Sequence, residues 1–265
     1  MKTGRILRLA TFALAGFFVA IQVAWADQPD HARHSGVSIL AYHRFGPTLA
    51  DSMTVTNPVF QQHIDWLNSH GYRIIPLRTL VEALPKLGDA ALGHAVVITV
   101  DDGHRTVYTE LFPLILKYRF PVTLFIYPSA ISNASYALTW EQISEMVASG
   151  LVDVQSHTFW HPNFKQEKKR LTSADYTAFV QVQLVKSKKI LAAHVGHEVD
   201  MIAWPFGIYD PDLEHAARDA GYVAAFSIER RAVCQGDDPL AIPRYLMTDQ
   251  DRGARFEAIA AGVCR

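Results

Sequence analysis

Runs of apolar residues alternate with stretches of helix-like periodicity along most of the chain. Several of these runs, including AVVITV and PVTLFIY, are continuous and rich in β-branched residues, which is typical of strands buried on both faces. Strands that alternate with helices indicate parallel βαβ units. The sequence therefore predicts an α/β fold, and we expect a single distorted (β/α) barrel of about seven to eight strands rather than an open sheet. The predicted strands cover residues 37–42, 73–75, 95–100, 121–127, 151–155, 199–203, 223–227 and 241–247.

Helix signals lie between the predicted strands. An Asn-Pro start and a Gly stop predict a helix over residues 57–71, and a capping-box sequence followed by Gly predicts another over 139–150. Apolar periodicity predicts a long helix over about 173–195, and an Asp-Pro start with a Gly stop predicts one over 210–221. The charged KQEKKR stretch at 165–170 is interpreted as a solvated loop.

The first segment of the chain has the pattern of a secretory signal peptide. Basic residues precede an apolar run over about residues 9–23, and Ala-Trp-Ala at 24–26 offers a small-x-small cleavage site. We predict a signal peptide over 1–26, a flexible segment over 27–36 and one domain over 37–265. An uncleaved anchor helix is the alternative. Cleavage implies a periplasmic or secreted protein without stable membrane insertion.

Charge and cysteine content narrow the classes of partner and site. Lys and Arg number 25 against 26 Asp and Glu, which gives a formal net charge of -1. This balance gives no electrostatic case for nucleic acid binding. We also expect the protein to be a monomer. The cysteines are Cys234 and Cys264, and neither lies in a C-x-x-C pattern, which argues against a thiolate metal site. A disulfide and two free thiols both remain open for this pair.

Candidate catalytic and metal-binding residues follow the carboxyl ends of four predicted strands. In barrels and parallel sheets, these ends gather at one rim, where functional groups usually lie. They are His43 after the first strand, Asp101 with Asp102 after the third, the segment 156–161 after the fifth, and the Trp-Pro-Phe-Gly turn at 204–207 after the sixth. The fold would therefore bring carboxylates and imidazoles together.

The aspartate pair and the His157-x₃-His161 pair indicate a metal site. Two adjacent carboxylates after a buried strand repel each other, and a cation would neutralise them. An Asp-Gly turn that caps a helix is the alternative for the aspartates alone. Two imidazoles four residues apart can face one cation, and imidazole with carboxylate suits Zn²⁺ and similar metals. Two histidines and one aspartate leave positions open for water and substrate, as metal-assisted hydrolysis requires.

These motifs resemble those of a known family. VITVDDG and SHTFWH resemble the first two motifs of the polysaccharide deacetylase family, the homology domain of the nodulation-factor deacetylase, and WPFG resembles the third. The early AYHRFG segment is similar to the circularly permuted branch that includes poly-β-1,6-N-acetylglucosamine N-deacetylases. The resemblance runs from about residue 38 to 247. It implies that one divalent ion is held by Asp102, His157 and His161; we expect Zn²⁺, with Co²⁺, Ni²⁺ or Fe²⁺ as alternatives.

The resemblance also implies catalytic roles. Asp101 matches the general base, and His43 matches the acid that protonates the leaving amine in the permuted branch. The turn that contains Phe206 would offer a backbone N–H to the oxyanion. Many members place an arginine two residues before the proline of the third motif, where it pairs with the base, but this chain has Ala203 there. Arg244 and Arg44 are the candidates to replace it, and a plain structural salt bridge is the alternative for Arg244.

Aromatic residues cluster around the same predicted strand ends. Aromatic rings stack on sugar faces, but they also fill barrel cores, so core packing is the alternative for each one. The residues with expected substrate contacts are Tyr42, Trp204 and Phe206, with Trp160 and Tyr209 as further members of the set.

The sequence thus leads to an expected function. We expect metal-dependent hydrolysis of N-acetyl groups on a GlcNAc-containing polysaccharide, with a poly-β-1,6-N-acetylglucosamine-like polymer as the substrate. The alternatives are a deacetylase of peptidoglycan or chitin oligomers and a non-catalytic carbohydrate-binding descendant of the fold. The intact aspartate pair, histidine pair and His43 argue against the last of these.

Overall fold

The structure, a computed structural model, describes residues 36–87 and 92–264. Continuous β-branched runs form the central strands, and shorter extended segments complete the set. The strands within the described residues are β1 Ser38–Tyr42, β2 Arg44–Gly46, β3 Thr54–Thr56, β4 Arg73–Ile74, β5 Ala95–Asp102, β6 Val122–Ile126, β7 Val152–Ser156, β8 Met201–Ala203, β9 Ala224–Phe226 and β10 Tyr245–Leu246.

Helices follow most of these strands, and four of the described α-helices begin at a capping side chain. Thr139 accepts a hydrogen bond from the Gln142 backbone and completes the predicted capping box, while Asn163, Thr172 and Asp210 cap three further helices. The α-helices of the described residues are α1 Asn57–Ser69, α2 Leu77–Ala83, α3 Phe112–Tyr118, α4 Trp140–Ala148, α5 Phe164–Arg170, α6 Ser173–Gln181, α7 Ser187–Val195, α8 Pro211–Asp219 and α9 Ala254–Ala260.

Eight of the described strands form one parallel sheet that curls into a distorted barrel. Their order is β10-β1-β5-β6-β7-β8-β9, and β4 pairs with β5. The segment around β10 reaches both edges of this order, because Ile242 bridges Phe226 of β9 and Tyr245 pairs with Leu40 of β1. The predicted α/β class and the distorted barrel of seven to eight strands are therefore confirmed.

Side chains alternate between two apolar layers along the strands. The rings of Phe125 and Phe226 lie 5.2 Å apart although their strands are not neighbours, so this layer fills the barrel interior together with Val97. The residues between them, such as Ile98 and Leu124, pack outward against the helices. Asp101 lies in register with Phe125 and therefore points into the barrel at its carboxyl end.

Two predicted elements differ from the structure. The predicted last strand over 241–247 is wrong in extent, because Pro243 cannot donate a ladder hydrogen bond and only Tyr245–Leu246 is a regular strand. The predicted loop at 165–170 is also wrong, since these residues form α5, capped by the Asn163 side chain. Its charged residues gave no apolar periodicity to reveal a helix. The predicted helix over 173–195 is confirmed, with a wider π-helical turn over Val182–Lys186 between α6 and α7.

The two cysteines form a disulfide. Cys234 and Cys264 are bonded, with their Cα atoms 5.8 Å apart. Residue Val233 pairs with Val37 at the start of β1, and Gly36 donates a hydrogen bond to the Gly262 carbonyl. The disulfide thus joins two segments that both lie against the beginning of the first strand.

The amino-terminal predictions lie outside the described residues. The signal peptide over 1–26 and the flexible segment, except for Gly36, belong to the part of the chain that is not described. Among residues 36–87 and 92–264, no helix is both long enough and apolar enough to cross a membrane.

Candidate active site

Asp102, His157 and His161 bring three candidate metal-ligand atoms together at the carboxyl end of the sheet. Asp102 ends β5, and the two histidines lie in the loop after β7. Asp102 Oδ1 lies 3.6 Å from Nε2 of each histidine, and the ligand atoms of the three residues all lie within 4.8 Å of one another. Asp102 and His161 have φ angles of 73° and 63°, a conformation that is uncommon for residues other than glycine.

Hydrogen bonds orient the two imidazoles. His157 is buried, and its Nδ1 lies 2.8 Å from the Ala203 carbonyl oxygen. A carbonyl only accepts, so Nδ1–H donates, and Nε2 is the nitrogen that faces Asp102. Such a partner on the other nitrogen is characteristic of metal-binding histidines. The backbone N–H of Trp160 donates to the Gln183 side chain, which fixes the loop between the two histidines.

The donor set fits a divalent cation. Asp102 Oδ1 is buried and has no hydrogen-bond partner, which is costly for a carboxylate oxygen unless a cation or proton compensates it. Burial, together with the neighbouring His157, lowers the pKa of His161 to about 4. The imidazole is therefore neutral near pH 7 and keeps a lone pair for a metal. A carboxylate and two imidazoles are ligands that suit Zn²⁺ and similar ions.

Asp101 forms a buried ion pair with Arg244. Its Oδ1 and Oδ2 accept hydrogen bonds of 2.8 and 2.7 Å from the two terminal nitrogens of Arg244, and the guanidinium also donates to Thr99 and to the Ser227 carbonyl. Burial alone would raise the pKa of Asp101, but the charge and hydrogen bonds of Arg244, together with the charges of His157 and His43, more than offset this and hold the pKa well below its usual range. Asp101 is therefore ionised near neutral pH. Arg44, the other candidate for this partner, pairs with Asp51 instead.

His43 lies at the end of β1, directly beside β5, where Tyr42 is in register with Val100. Its Nδ1 is buried without a hydrogen-bond partner. Burial lowers the pKa of the His43 imidazole, while the charges of Asp101 and Asp102 oppose this effect. A partly buried imidazole with a free nitrogen beside two carboxylates is suited to proton transfer.

Two predicted substrate contacts are wrong because the side chains are fully buried. Tyr42 donates its hydroxyl proton to His63 Nδ1, and His63 Nε2 donates to the Asp251 carbonyl. Burial lowers the pKa of His63 to about 4, so this chain of hydrogen bonds is neutral and anchors the end of β1. Trp204 packs in a core between the sheet and helices, and its indole N–H donates to the Leu240 carbonyl.

Two other aromatic residues do reach the surface of the rim. Phe206 is 55% exposed, its ring lies 4.6 Å from that of His161, and its φ is 57°. Trp160 is 42% exposed and packs edge-on against Phe179. Tyr209 packs against the same core as Trp204, so it contributes to packing more than to the rim.

Sequence reasoning missed Tyr127, whose ring lies 5.4 Å from that of His161. It directly follows β6, which ends at Ile126, but the predicted strand over 121–127 included it, so the rule that selects the residues after buried strands passed over it. His104 is near the same loops, where its Nδ1 contacts the Thr106 hydroxyl, and it is outside the group of three candidate metal ligands.

This chain is similar in sequence or structure to known proteins that are named as deacetylases. A poly-beta-1,6-N-acetyl-D-glucosamine N-deacetylase of Staphylococcus aureus is 27% identical over 201 residues, which cover 74% of this chain and 68% of the relative. The structure of IcaB from Ammonifex degensii is 26% identical, with a TM-score of 0.74 over 86% of this chain and 98% of that one. The Streptococcus pyogenes deacetylase PplD, in complex with acetate, shares the fold at 19% identity, with a TM-score of 0.75 over 86% and 99% of the two chains.

The family model for polysaccharide deacetylases matches residues 89–225. This range covers more than half of the chain and contains Asp101, Asp102, both candidate histidine ligands and the turn at Phe206. The chain therefore belongs to the polysaccharide deacetylase family.

Proposed function

We propose that this protein is a metal-dependent hydrolase that removes N-acetyl groups from a GlcNAc-containing polysaccharide. The preferred substrate is a β-1,6-linked polymer, and the reaction takes place in the periplasm or outside the cell. The names of the similar proteins support the substrate, and the signal sequence pattern supports the compartment. The observation that carries the proposal is that two adjacent carboxylates have different partners. Asp102 faces two imidazoles, and Asp101 is held ionised by Arg244.

Asp102, His157 and His161 would hold the metal. Zn²⁺ is the expected ion, with Co²⁺, Ni²⁺ and Fe²⁺ as alternatives, because the donor set is one carboxylate and two imidazoles. When bound, such an ion polarises a carbonyl and acidifies water. Hydrogen bonds from the chain already orient His157 and the loop before His161, so the ligands need little rearrangement to bind.

The other residues of the site would move protons and stabilise charge. Asp101, ionised by its pairing with Arg244, accepts a proton from the attacking water. His43 donates a proton to the amine nitrogen as the amide bond breaks, because an amine leaves poorly as an anion. The exposed turn at Phe206, beside His161, contributes its backbone N–H to the oxyanion. These roles agree with the positions of the three residues around the ligand group.

The role of His43 can be separated from that of a structural residue. We expect His43→Ala to retain metal and to lose far more rate on acetamide sugars than on activated aryl acetate esters, whose leaving groups need little protonation. The expected loss on the amide is about 10²- to 10⁴-fold. Steady-state kinetics on both substrates, with metal content measured on the same sample, provide the test. Equal losses on both substrates would refute leaving-group protonation, and a loss of metal would instead make His43 a ligand.

Acetate release from defined glycans tests the proposed function itself. The panel contains acetylated β-1,6-linked GlcNAc oligomers, chitin oligomers of matched length and peptidoglycan, each with Zn²⁺ present. We expect the highest kcat/KM on the β-1,6-linked oligomers. A higher value on chitin oligomers or on peptidoglycan would contradict the proposed substrate, and the absence of acetate release from every glycan would contradict the proposed activity.

A further inference from the structure

Tyr127 lies at the rim between the strands that carry the candidate metal ligands. It directly follows β6, whose last residue, Ile126, is in register with Asp102 on one side and with Ser156 on the other. Tyr127 has the same parity as Phe125, which points into the barrel. Its side chain therefore stands above the interior, and its ring lies 5.4 Å from the ring of His161.

Tyr136 is brought to the same place by the loop after β6. Backbone hydrogen bonds tie this loop to the loop after β5: Arg105 donates to the Tyr136 carbonyl, and Leu138 donates to the Gly103 carbonyl. The Tyr136 ring is nearly parallel to that of His104, at 12° and with centroids 6.3 Å apart. Tyr136 is nevertheless 43% exposed. The two loops that follow β5 and β6 thus form one continuous wall beside the ligand group.

The two tyrosines meet through their hydroxyl groups. Tyr127 Oη and Tyr136 Oη lie 3.0 Å apart, so one hydroxyl donates its proton to the other. A phenol offers one donor and also accepts, so the pair keeps one proton and further lone pairs for a ligand. A sugar hydroxyl group also donates and accepts, and it carries no charge. The uncharged pair therefore matches an alcohol better than a carboxylate or a phosphate, for which charged donors such as Arg are favoured.

We propose that the Tyr127–Tyr136 hydroxyl pair binds a hydroxyl group of the sugar whose acetamide lies at the ligand group, and so contributes to substrate specificity. The exposed face of Tyr136 adds an aromatic surface for the same or the next sugar. This inference rests on the proposed function, because it takes the acetylated glycan as the ligand. It assigns a substrate-binding role to two residues that lie outside the set of proton-transferring and metal-binding groups.

Replacing either tyrosine with phenylalanine removes one hydroxyl oxygen and so tests the pair. We expect Tyr136→Phe and Tyr127→Phe to raise KM for GlcNAc oligomers by about 3- to 10-fold, the range for one neutral hydrogen bond. The kinetics on an aryl acetate ester without a sugar and the metal content should stay unchanged. Tyr108→Phe is the matched control, since the Tyr108 hydroxyl is bonded to Glu145 on the exposed helical surface.

Several outcomes would overturn the inference. An unchanged KM in both variants would show that the hydroxyl groups do not bind the glycan, and an equal effect on the sugar-free ester would show that they support the reaction centre instead. Direct binding of the oligomer, measured by calorimetry with Zn²⁺ present, separates this inference from the proposed function. If the native protein released no acetate, the proposed activity would fail, and equal dissociation constants for the native and variant proteins would then overturn the subsite as well.

Discussion

Asp101→Asn protein is expected to retain its metal and to lose acetate-releasing activity by about 10²- to 10⁴-fold. Asparagine has nearly the shape of aspartate, but its amide cannot accept the proton of the attacking water near neutral pH. The three candidate ligands, Asp102, His157 and His161, remain in place. Acetate release from GlcNAc oligomers and elemental analysis of the same sample give the two readouts. Activity within about 10-fold of the native value would contradict the role of Asp101 as general base.

The buried partner of Asp101 supplies a control for stability. Asp101→Asn leaves the Arg244 guanidinium buried without a counter-charge, which costs about 3–5 kcal/mol when one partner of a buried pair is removed. The double variant Asp101→Asn with Arg244→Met removes both charges. We expect it to recover part of the lost melting temperature and none of the activity. This result would separate a loss of chemistry from a loss of folding.

His157→Ala is expected to have the largest effect on metal binding and to abolish acetate release. The substitution removes one of three ligands, and it removes the one that is most deeply buried and fixed by the Ala203 carbonyl. The two remaining ligands would hold a divalent ion much more weakly. Even the loss of a residue that only hydrogen-bonds to a metal ligand typically lowers metal affinity or activity by about 10- to 100-fold. Elemental analysis after dialysis measures the bound metal.

A second histidine variant shows whether the effect belongs to the ligand position. His215 lies on α8, is largely exposed and pairs with Asp219, so His215→Ala should keep full metal content and activity. A His157→Ala protein that bound as much metal as the His215→Ala protein would contradict the ligand assignment.

The site residues that were predicted from the sequence all lie at or just after the end of a buried strand. Asp101 and Asp102 end a continuous apolar strand, and His157 follows another, so parallel strand pairing alone places them at the same rim. Loop geometry was not needed for these positions. The pair between Asp101 and Arg244, by contrast, joins residues 143 positions apart. The sequence left Arg244 and Arg44 as alternatives, because the choice depends on how the last segment closes the barrel.

The two wrong predictions of substrate contacts have the same physical cause. Tyr42 and Trp204 also lie at strand ends, but each points into a layer between the sheet and the helices, where it is fully buried. Aromatic character does not distinguish a sugar-stacking ring from a core ring; the direction of the side chain does. Tyr127 was missed for the related reason that it lies outside the recognised motifs, although strand parity directs it into the site.

Acetate release by metal-stripped native protein tests the central claim most directly. The protein is treated with a chelator, freed of it, and titrated with Zn²⁺ while acetate release from β-1,6-linked GlcNAc oligomers is measured. Because one group of three ligand residues is present in the described chain, the account predicts that stripping abolishes activity and that activity returns up to about one ion per chain. Full acetate release by the metal-free protein would contradict it.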